Sequence, residues 1–281
     1  MIEPLEPLEL TPQWIEGIRR IAPREPTAPV RGKRRVLLFS LCPGSAHWVI
    51  PHTSAVIQVL GEESGAFETE ESLDPAIMVP DELARFDAII MNNTCPARRP
   101  KRDLFVDVIQ DEARAAALRS NLAEFVARGG GLVGIHAGII AFNDSPRWEE
   151  LLGATFDYHP PQQMVTITAV DPSHPLVAAL GGQPFSHVDE PYIFRNAFTE
   201  RRYRPLLVMN TGALTPRENS PTPLPDTSDV AWVKRYGQGR VFFCSPSHNA
   251  QSFQNPRLLR FVLDGIQYAL GDLPCDDTPI K

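Results

Sequence analysis

Gly129-Gly130-Gly131-Leu132-Val133-Gly134-Ile135-His136-Ala137-Gly138 is the stretch that decides the fold. Leu132 to Ile135 is short, apolar and bounded by glycine, as expected of a strand buried on both faces. His136 then stands between small residues, where a strand turns tightly into a helix. Just upstream, Glu112 to Arg128 carries Ala115, Leu118, Leu122 and Phe125 three or four residues apart. That spacing predicts an amphipathic helix, and the three glycines stop it.

The same alternation recurs on the N-terminal side. Val36-Leu37-Leu38-Phe39 reads as a buried strand ending at Cys42-Pro43-Gly44-Ser45, with a helix from about Pro51 to Gly61 after it. Phe67 to Glu70 is a weaker strand, and Ala88 to Met91 a strong one that ends in Asn92-Asn93-Thr94-Cys95-Pro96. Strands and helices in this order imply right-handed crossovers and a parallel sheet, an α/β fold. From about Pro160 to Gly239 the pattern shortens to Val165 to Val170, Leu206 to Met209 and Val230 to Tyr236, separated by proline-rich turns. These predict a mixed β extension of the same sheet, with Thr211 to Thr227 an exposed loop without regular structure. Arg240 to Cys244 is the last buried strand. Asn255-Pro256 then opens a closing helix with Leu258, Val262, Ile266 and Ala269 inward.

The domain therefore spans residues 35–271, with a tail at 272–281 and an extension at 1–34. The extension holds six prolines and one short helix, Pro12 to Arg20, capped by Thr11 and carrying Trp14, Ile15 and Ile18 on one side. An arm packed on its own domain is the first reading of it; a dimer arm, and hence a homo-oligomer, is the second. The 281 residues suffice for a sizeable core. Against 34 acidic residues stand 27 lysines and arginines, a formal charge of -7 with no long basic run. Nucleic acid and anionic membrane are disfavoured as partners. No stretch reaches the roughly 20 apolar residues of a membrane span, and Met1 to Leu10 lacks the pattern of a signal peptide, so a cytoplasmic address is expected. The four cysteines form no CxxC pair, which argues against a zinc knuckle or a disulfide framework.

In a parallel sheet, ligands gather at the carboxyl ends of the strands. Three of the seven histidines fall there: His47 after the first strand, His136 after the fourth and His248 after the last. Neutral imidazoles could hold a divalent ion such as zinc at this edge, or serve as general base and acid. Asn92 and Asn93, on the same edge, are candidate hydroxyl binders. The elbow-like setting of His136 is one in which hydrolases present Ser or Cys, so histidine points to acid/base or metal work instead. Cys42 and Cys95 lie on this edge too and are read as buried, inert thiols. His52 and His174 are read as structural, and no nucleotide cofactor is expected.

Gly129-Gly130-Gly131, His136 in its Gly-Ile-His-Ala-Gly, Trp148 with Leu151-Leu152-Gly153-Ala154, His159-Pro160, Asp171 with His174-Pro175, Asp189-Glu190 with Tyr192, Ala231-Trp232, Gly239 to Phe243 and Ser247-His248 occur in consistent order. Over residues 35–271 the chain thereby resembles the ThuA-like, trehalose-utilisation family. The resemblance implies a flavodoxin-like fold of the class I glutamine amidotransferase type, with helices on both faces of the sheet. It also implies a role in the catabolism of trehalose, a related disaccharide or a keto-sugar. Histidine at the elbow, where amidotransferases carry cysteine, implies no glutaminase activity. Hydrolysis, isomerisation and elimination on a sugar all stay open, as does a non-catalytic sugar-binding or regulatory module. Within the resemblance, His136, His47 and His248 are catalytic or metal-ligating candidates and Glu190 is their carboxylate partner. Asp189, Tyr192, His159 and Gln162 are candidates for contact with the sugar. Two departures, Ser45-Ala46-His47 for aromatic-Arg-His and Ser247-His248-Asn249 for Gly-His-Thr or Gly-His-Glu, retain both histidines.

Overall fold

The computed structural model describes residues 5–44, 47–97, 103–195, 202–246 and 248–280. Ser45, Ala46 and Ser247 of the two departing motifs lie outside the described residues. In chain order, helix α1 (Pro12–Ile21) precedes β1 (Arg35–Phe39), α2 (Ile50–Ser64), β2 (Glu68–Ser72), α3 (Pro80–Leu83), β3 (Ala88–Asn92), α4 (Leu104–Ile109), α5 (Glu112–Ala127) and β4 (Gly131–Ile135). Then come α6 (Pro146–Leu152), β5 (Thr155–Tyr158), β6 (Gln163–Ala169), β7 (Phe185–Asp189), β8 (Ile193–Arg195), β9 (Arg204–Asn210), β10 (Thr227–Tyr236), β11 (Gly239–Cys244) and α7 (Pro256–Ala269).

Nine strands share one sheet in the order β2-β1-β3-β4-β11-β10-β9-β6-β7. The first five are parallel and reproduce the flavodoxin-like order, with the last strand of the chain taking the fifth place. The other four continue it antiparallel. The change of direction is made by the β10–β11 hairpin, whose two-residue turn places Gly237 at φ +57, where glycine carries no penalty. Short β5 and β8 pair separately.

Alternation along the parallel strands sorts their side chains into two cores. Val36, Leu38, Ile90, Val133, Phe242 and Cys244 pack beneath α2 and α7. Leu37, Phe39, Ile89, Met91, Leu132 and Phe243 pack with Leu118 and Leu122 of α5 and Leu151 of α6. Both faces are thus covered, which is why these strands read as unbroken apolar runs. Gly265 lets α7 lie directly on the sheet, since a Cβ there would run into the ring of Phe242.

The N-terminal extension is stitched to its own domain. Thr11 caps α1 by accepting from the Trp14 amide, and Ile18, Ala22 and Ala28 join the core. Thr27 donates to Asp264 (2.6 Å) and to Gln267 (2.8 Å), while Gln267 donates back to the Ala28 carbonyl (2.8 Å). The Arg34 guanidinium bonds both Asp272, at 2.6 and 3.0 Å, and Asp87, at 3.0 Å.

Two expected boundaries move. α2 runs past Gly61 to Ser64 and stops at Gly65, φ +66; Gly61 serves close packing against Phe67 instead. The weak strand shifts to Glu68–Ser72. The loop before β10 is mostly exposed but pinned, with Leu214 buried and the Thr222 carbonyl accepting from the Tyr158 hydroxyl (3.1 Å).

Asp264 supplies a test of how the extension is bonded. Burial raises its pKa to about 6, against the hydrogen bond from Thr27 and the charge of Arg260. A raised carboxyl pKa means that the folded state binds the proton more tightly than the unfolded chain, so stability falls as pH rises through this window. Relative to Asp264→Asn, which cannot ionise, the unmodified protein should lose roughly 2–3 kcal/mol of unfolding free energy between pH 4 and pH 7. Urea unfolding at a series of pH values measures this; parallel profiles for the two proteins would contradict it.

Candidate functional site

The carboxyl ends of β1, β3, β4 and β11 open on one edge, and the sequence places a polar group after each. His136 follows β4 without a spacer and takes φ +46, a strained conformation for a residue with a side chain. Gly138 makes the turn fit, because a Cβ there would meet the carbonyl of Met91. His136 Nδ1 donates to the carbonyl of Ser245, just past β11, at 2.8 Å. This bond sets which nitrogen faces the site: Nε2, as a lone pair when the ring is neutral and as an N–H when it is charged.

Three atoms converge there. His136 Nε2, His248 Nδ1 and Glu190 Oε2 stand 3.3 Å from one another on all three sides. His47 completes the group, and one ligand atom from each of the four residues lies within 4.8 Å of the others. Tyr192 lies against His136 with ring centroids 4.1 Å apart, and His159 stacks on the far side of Tyr192 at 5.8 Å. His159 Nε2 reaches Glu190 at 3.9 Å. His136 is fully buried, whereas the side chains of His248, Glu190 and His159 are 13%, 17% and 35% exposed. The cluster therefore opens on the Glu190 and His159 side.

Charge is distributed unevenly among these groups. Burial opposes ionisation of Glu190, yet the hydrogen bond and charge of His136, with His248 and His159 behind, hold its pKa down at about 2. Burial alone would lower His136, but Glu190, Asp189 and the Ser245 carbonyl together leave it above its ordinary value. Burial and then repulsion from His136 push His248 down to about 3. The resting cluster at neutral pH is an ionised carboxylate, a proton-seeking imidazole and a neutral one.

Glu190 arrives from the far end of the sheet, because the antiparallel extension folds back over the edge. Asp189 holds that return in place: its Oδ1 accepts from the backbone amides of Glu190 (3.0 Å) and His248 (2.7 Å). Its other oxygen faces His187 Nε2 at 3.6 Å, and His187 is anchored by Ser252 at 2.7 Å. Burial holds the Asp189 pKa above the usual carboxylate range against the pull of His187, His136 and these amides.

The remaining candidates divide. The Asn92 amide is spent on Ser40, Ser54, Ile50 and Asn93, tying β3 to β1 and α2. Gln162 sits on the rim, accepting from the Leu5 amide (2.7 Å) and donating to Asn249 (3.3 Å). Asn93 is considered below. Cys42 Sγ lies 3.8 Å from His47 Nδ1; burial raises its pKa against the amides of Cys95, Gly44 and His47, so the thiol stays protonated near neutrality. His52 is enclosed by Trp14 and Trp48, and His174 caps the turn at Pro175. Sequence reasoning missed the Ser245 carbonyl and the His187–Ser252 support. A backbone acceptor leaves no trace in residue identity, and the second depended on a pairing across 65 residues.

Comparison with known proteins agrees with this architecture. The family described as ThuA, trehalose utilisation, matches residues 35–269. A ThuA-like protein from Bacteroides uniformis superposes with a TM-score of 0.66 at 18% identity, covering 86% of this chain and 94% of that one. A second, from Parabacteroides merdae, gives 0.60 at 18% identity over 86% and 92%. A cytoplasmic protein of Salmonella typhimurium gives 0.52 at 14% over 84% and 98%. At these identities the likeness is one of fold. No curated protein matches the chain. Among the described residues, no helix is long and apolar enough to cross a membrane.

The anchoring by Asp189 can be tested directly. Asp189→Ala strands two backbone donors beneath the cluster and should destabilise the fold by roughly 2–5 kcal/mol. Asp189→Asn keeps an oxygen for both amides and should cost less than half as much. Denaturant unfolding of both variants checks this, and equal losses would show that the amides do not depend on Oδ1.

Proposed function

The chain belongs to the ThuA, trehalose-utilisation family, and from that premise we propose that it is an enzyme acting on trehalose, a related disaccharide or a keto-sugar derived from one. The observation that carries this reading is the triangle of His136, His248 and Glu190 with His47 beside it. Its 3.3 Å edges equal the ligand-to-ligand spacing of about 3.3 Å in a tetrahedral site with zinc-length bonds. Three imidazoles and one carboxylate form a donor set suited to zinc or another borderline divalent ion. The supports fit as well, since the ring of His136 is oriented by a carbonyl and the backbone of two ligands by Asp189. A bound ion would polarise a sugar carbonyl or hydroxyl.

Without an ion, the residues' own chemistry follows from their protonation. Glu190, ionised, accepts a proton or a hydrogen bond from a substrate hydroxyl at the open side. His136 takes up a proton readily because two carboxylates face it, and returns it through Nε2. His248, neutral, offers a lone pair. A strong and a weak proton acceptor side by side are what moving a proton between two positions of a sugar requires, whether in hydrolysis, isomerisation or elimination. The buried wall of Tyr192 keeps water from the inner side of His136. The competing reading, a sugar-binding module without turnover, draws on the same cluster.

Elemental analysis of untagged protein after incubation with zinc or manganese, followed by dialysis, separates these possibilities. Near-stoichiometric metal is expected, falling at least tenfold in His136→Ala and His248→Ala with folding retained by circular dichroism. Absence of metal from the unmodified protein would overturn the ligand assignment. A rate on a keto-disaccharide that His136→Ala leaves unchanged would overturn its catalytic role.

A further inference from the structure

Among the described residues, two buried polar atoms at the end of β3 find no partner: Asn93 Oδ1 and Thr94 Oγ1. Both residues are fully buried, and buried polar groups without partners are rare enough to ask for an explanation. Their strand end adjoins the one that carries His136, because the Asn93 backbone N–H donates to the carbonyl of Ile135, the residue before His136, at 3.2 Å. Asn93 also shares the strain of His136, with φ +51 against +46 on the neighbouring strand end.

The chemical identity of the Asn93 atom follows from its neighbours. The Asn92 amide points one atom at the carbonyl of Ile50, which can only accept, so that atom is Nδ2. Asn92 therefore presents Oδ1 to Asn93, and the Asn93 atom bonded to it at 3.0 Å is Nδ2. What remains is Oδ1, an acceptor. Asn93 donates to Asn92, Asn92 to Ser54 (3.0 Å) and Ser54 to the carboxylate of Glu71 (2.6 Å), all in one direction. Each donation strengthens the acceptor behind it, so the chain leaves Asn93 Oδ1 a strengthened acceptor.

We propose that Asn93 Oδ1 and Thr94 Oγ1 form a hydroxyl-reading subsite at the inner end of the site, taking the hydroxyls of a neutral sugar whose reacting carbon lies at the histidine cluster. The inference rests on the sugar reading above and adds where the substrate is recognised. Exposure rises from none at Asn93, Thr94 and His136 to 35% at His159, so the pair marks the closed end and the sugar enters from the other. Neither atom gives up a bond when a hydroxyl arrives, and the hydrogen bond gained is a net one. A hydroxyl both donates and accepts, which suits an acceptor beside a threonine.

Calorimetric titration with trehalose and its monodeoxy derivatives, with and without added zinc, tests the subsite in Thr94→Val and Asn93→Gly. Valine keeps the shape of threonine, so Thr94→Val should unfold at the wild-type temperature or above it; glycine suits the positive φ at 93 but removes the bond to Asn92 Oδ1, so Asn93→Gly should unfold at a lower temperature. Both should bind trehalose about tenfold more weakly. One deoxy derivative should bind the unmodified protein weakly yet lose nothing further in Asn93→Gly. Wild-type affinity in both variants would overturn the subsite and leave the sugar reading standing. Failure of the unmodified protein to bind any of these sugars would overturn the sugar reading and the subsite together. Weaker binding in Thr94→Val accompanied by a fall in its unfolding temperature would assign the threonine to the loop's packing and would also overturn the subsite.

Discussion

A single buried carboxylate oxygen joins one edge of the sheet to its centre. Asp189 Oδ1 takes the amide of Glu190 at the tip of the antiparallel extension and the amide of His248 past the central strand β11. Without that shared acceptor, the carboxylate of Glu190 would belong to a distant edge strand and the imidazoles would face one another alone. Backbone bonding, rather than side-chain contact, fixes the separation of the two groups to a few tenths of an ångström, as reactive sites demand.

Electrostatics then follows from the arrangement. Burial penalises every charge at the edge, and the cluster meets the penalty by pairing one ionised carboxylate with one imidazole while keeping the second imidazole neutral. Burying charge is tolerated only with partners of this kind. Tyr192 covers the inner side of His136, and the pair opens towards Glu190 and His159.

Residues whose role depends on local pattern were readable in the sequence. The apolar runs at Val36, Ala88, Leu132 and Val241 lie centrally in a sheet covered on both faces, which gives such strands no polar side to show. The glycine stops and the Thr11 and Asn255 caps act within a few residues of themselves, so their signals are local too. The histidines at 47, 136 and 248 could be placed on one edge because parallel strands send their carboxyl ends the same way. Glu190 and Asp189 were legible only as part of a family-like segment; their position relative to His136 depends on the course of four antiparallel strands, which no short-range pattern encodes. The elements left unread, α3, α4, α6, β5, β7 and β8, are three to seven residues long, too short for a period to repeat.

The place of β11 has a consequence for how the molecule is made. This strand sits in the middle of the sheet, between β4 and β10, yet it follows every other strand of that sheet in chain order. Until it emerges, the parallel half keeps an unpaired edge at β4, the antiparallel half keeps one at β10, and Ser245 and His248 do not yet exist to meet His136. Thr27 and Arg34 likewise wait for Asp264, Gln267 and Asp272. A chain stopped before β11 is thus two half-sheets with open edges, a state prone to mispairing. The side-chain cluster and the completed sheet form in the same step, so a product truncated before β11 has neither.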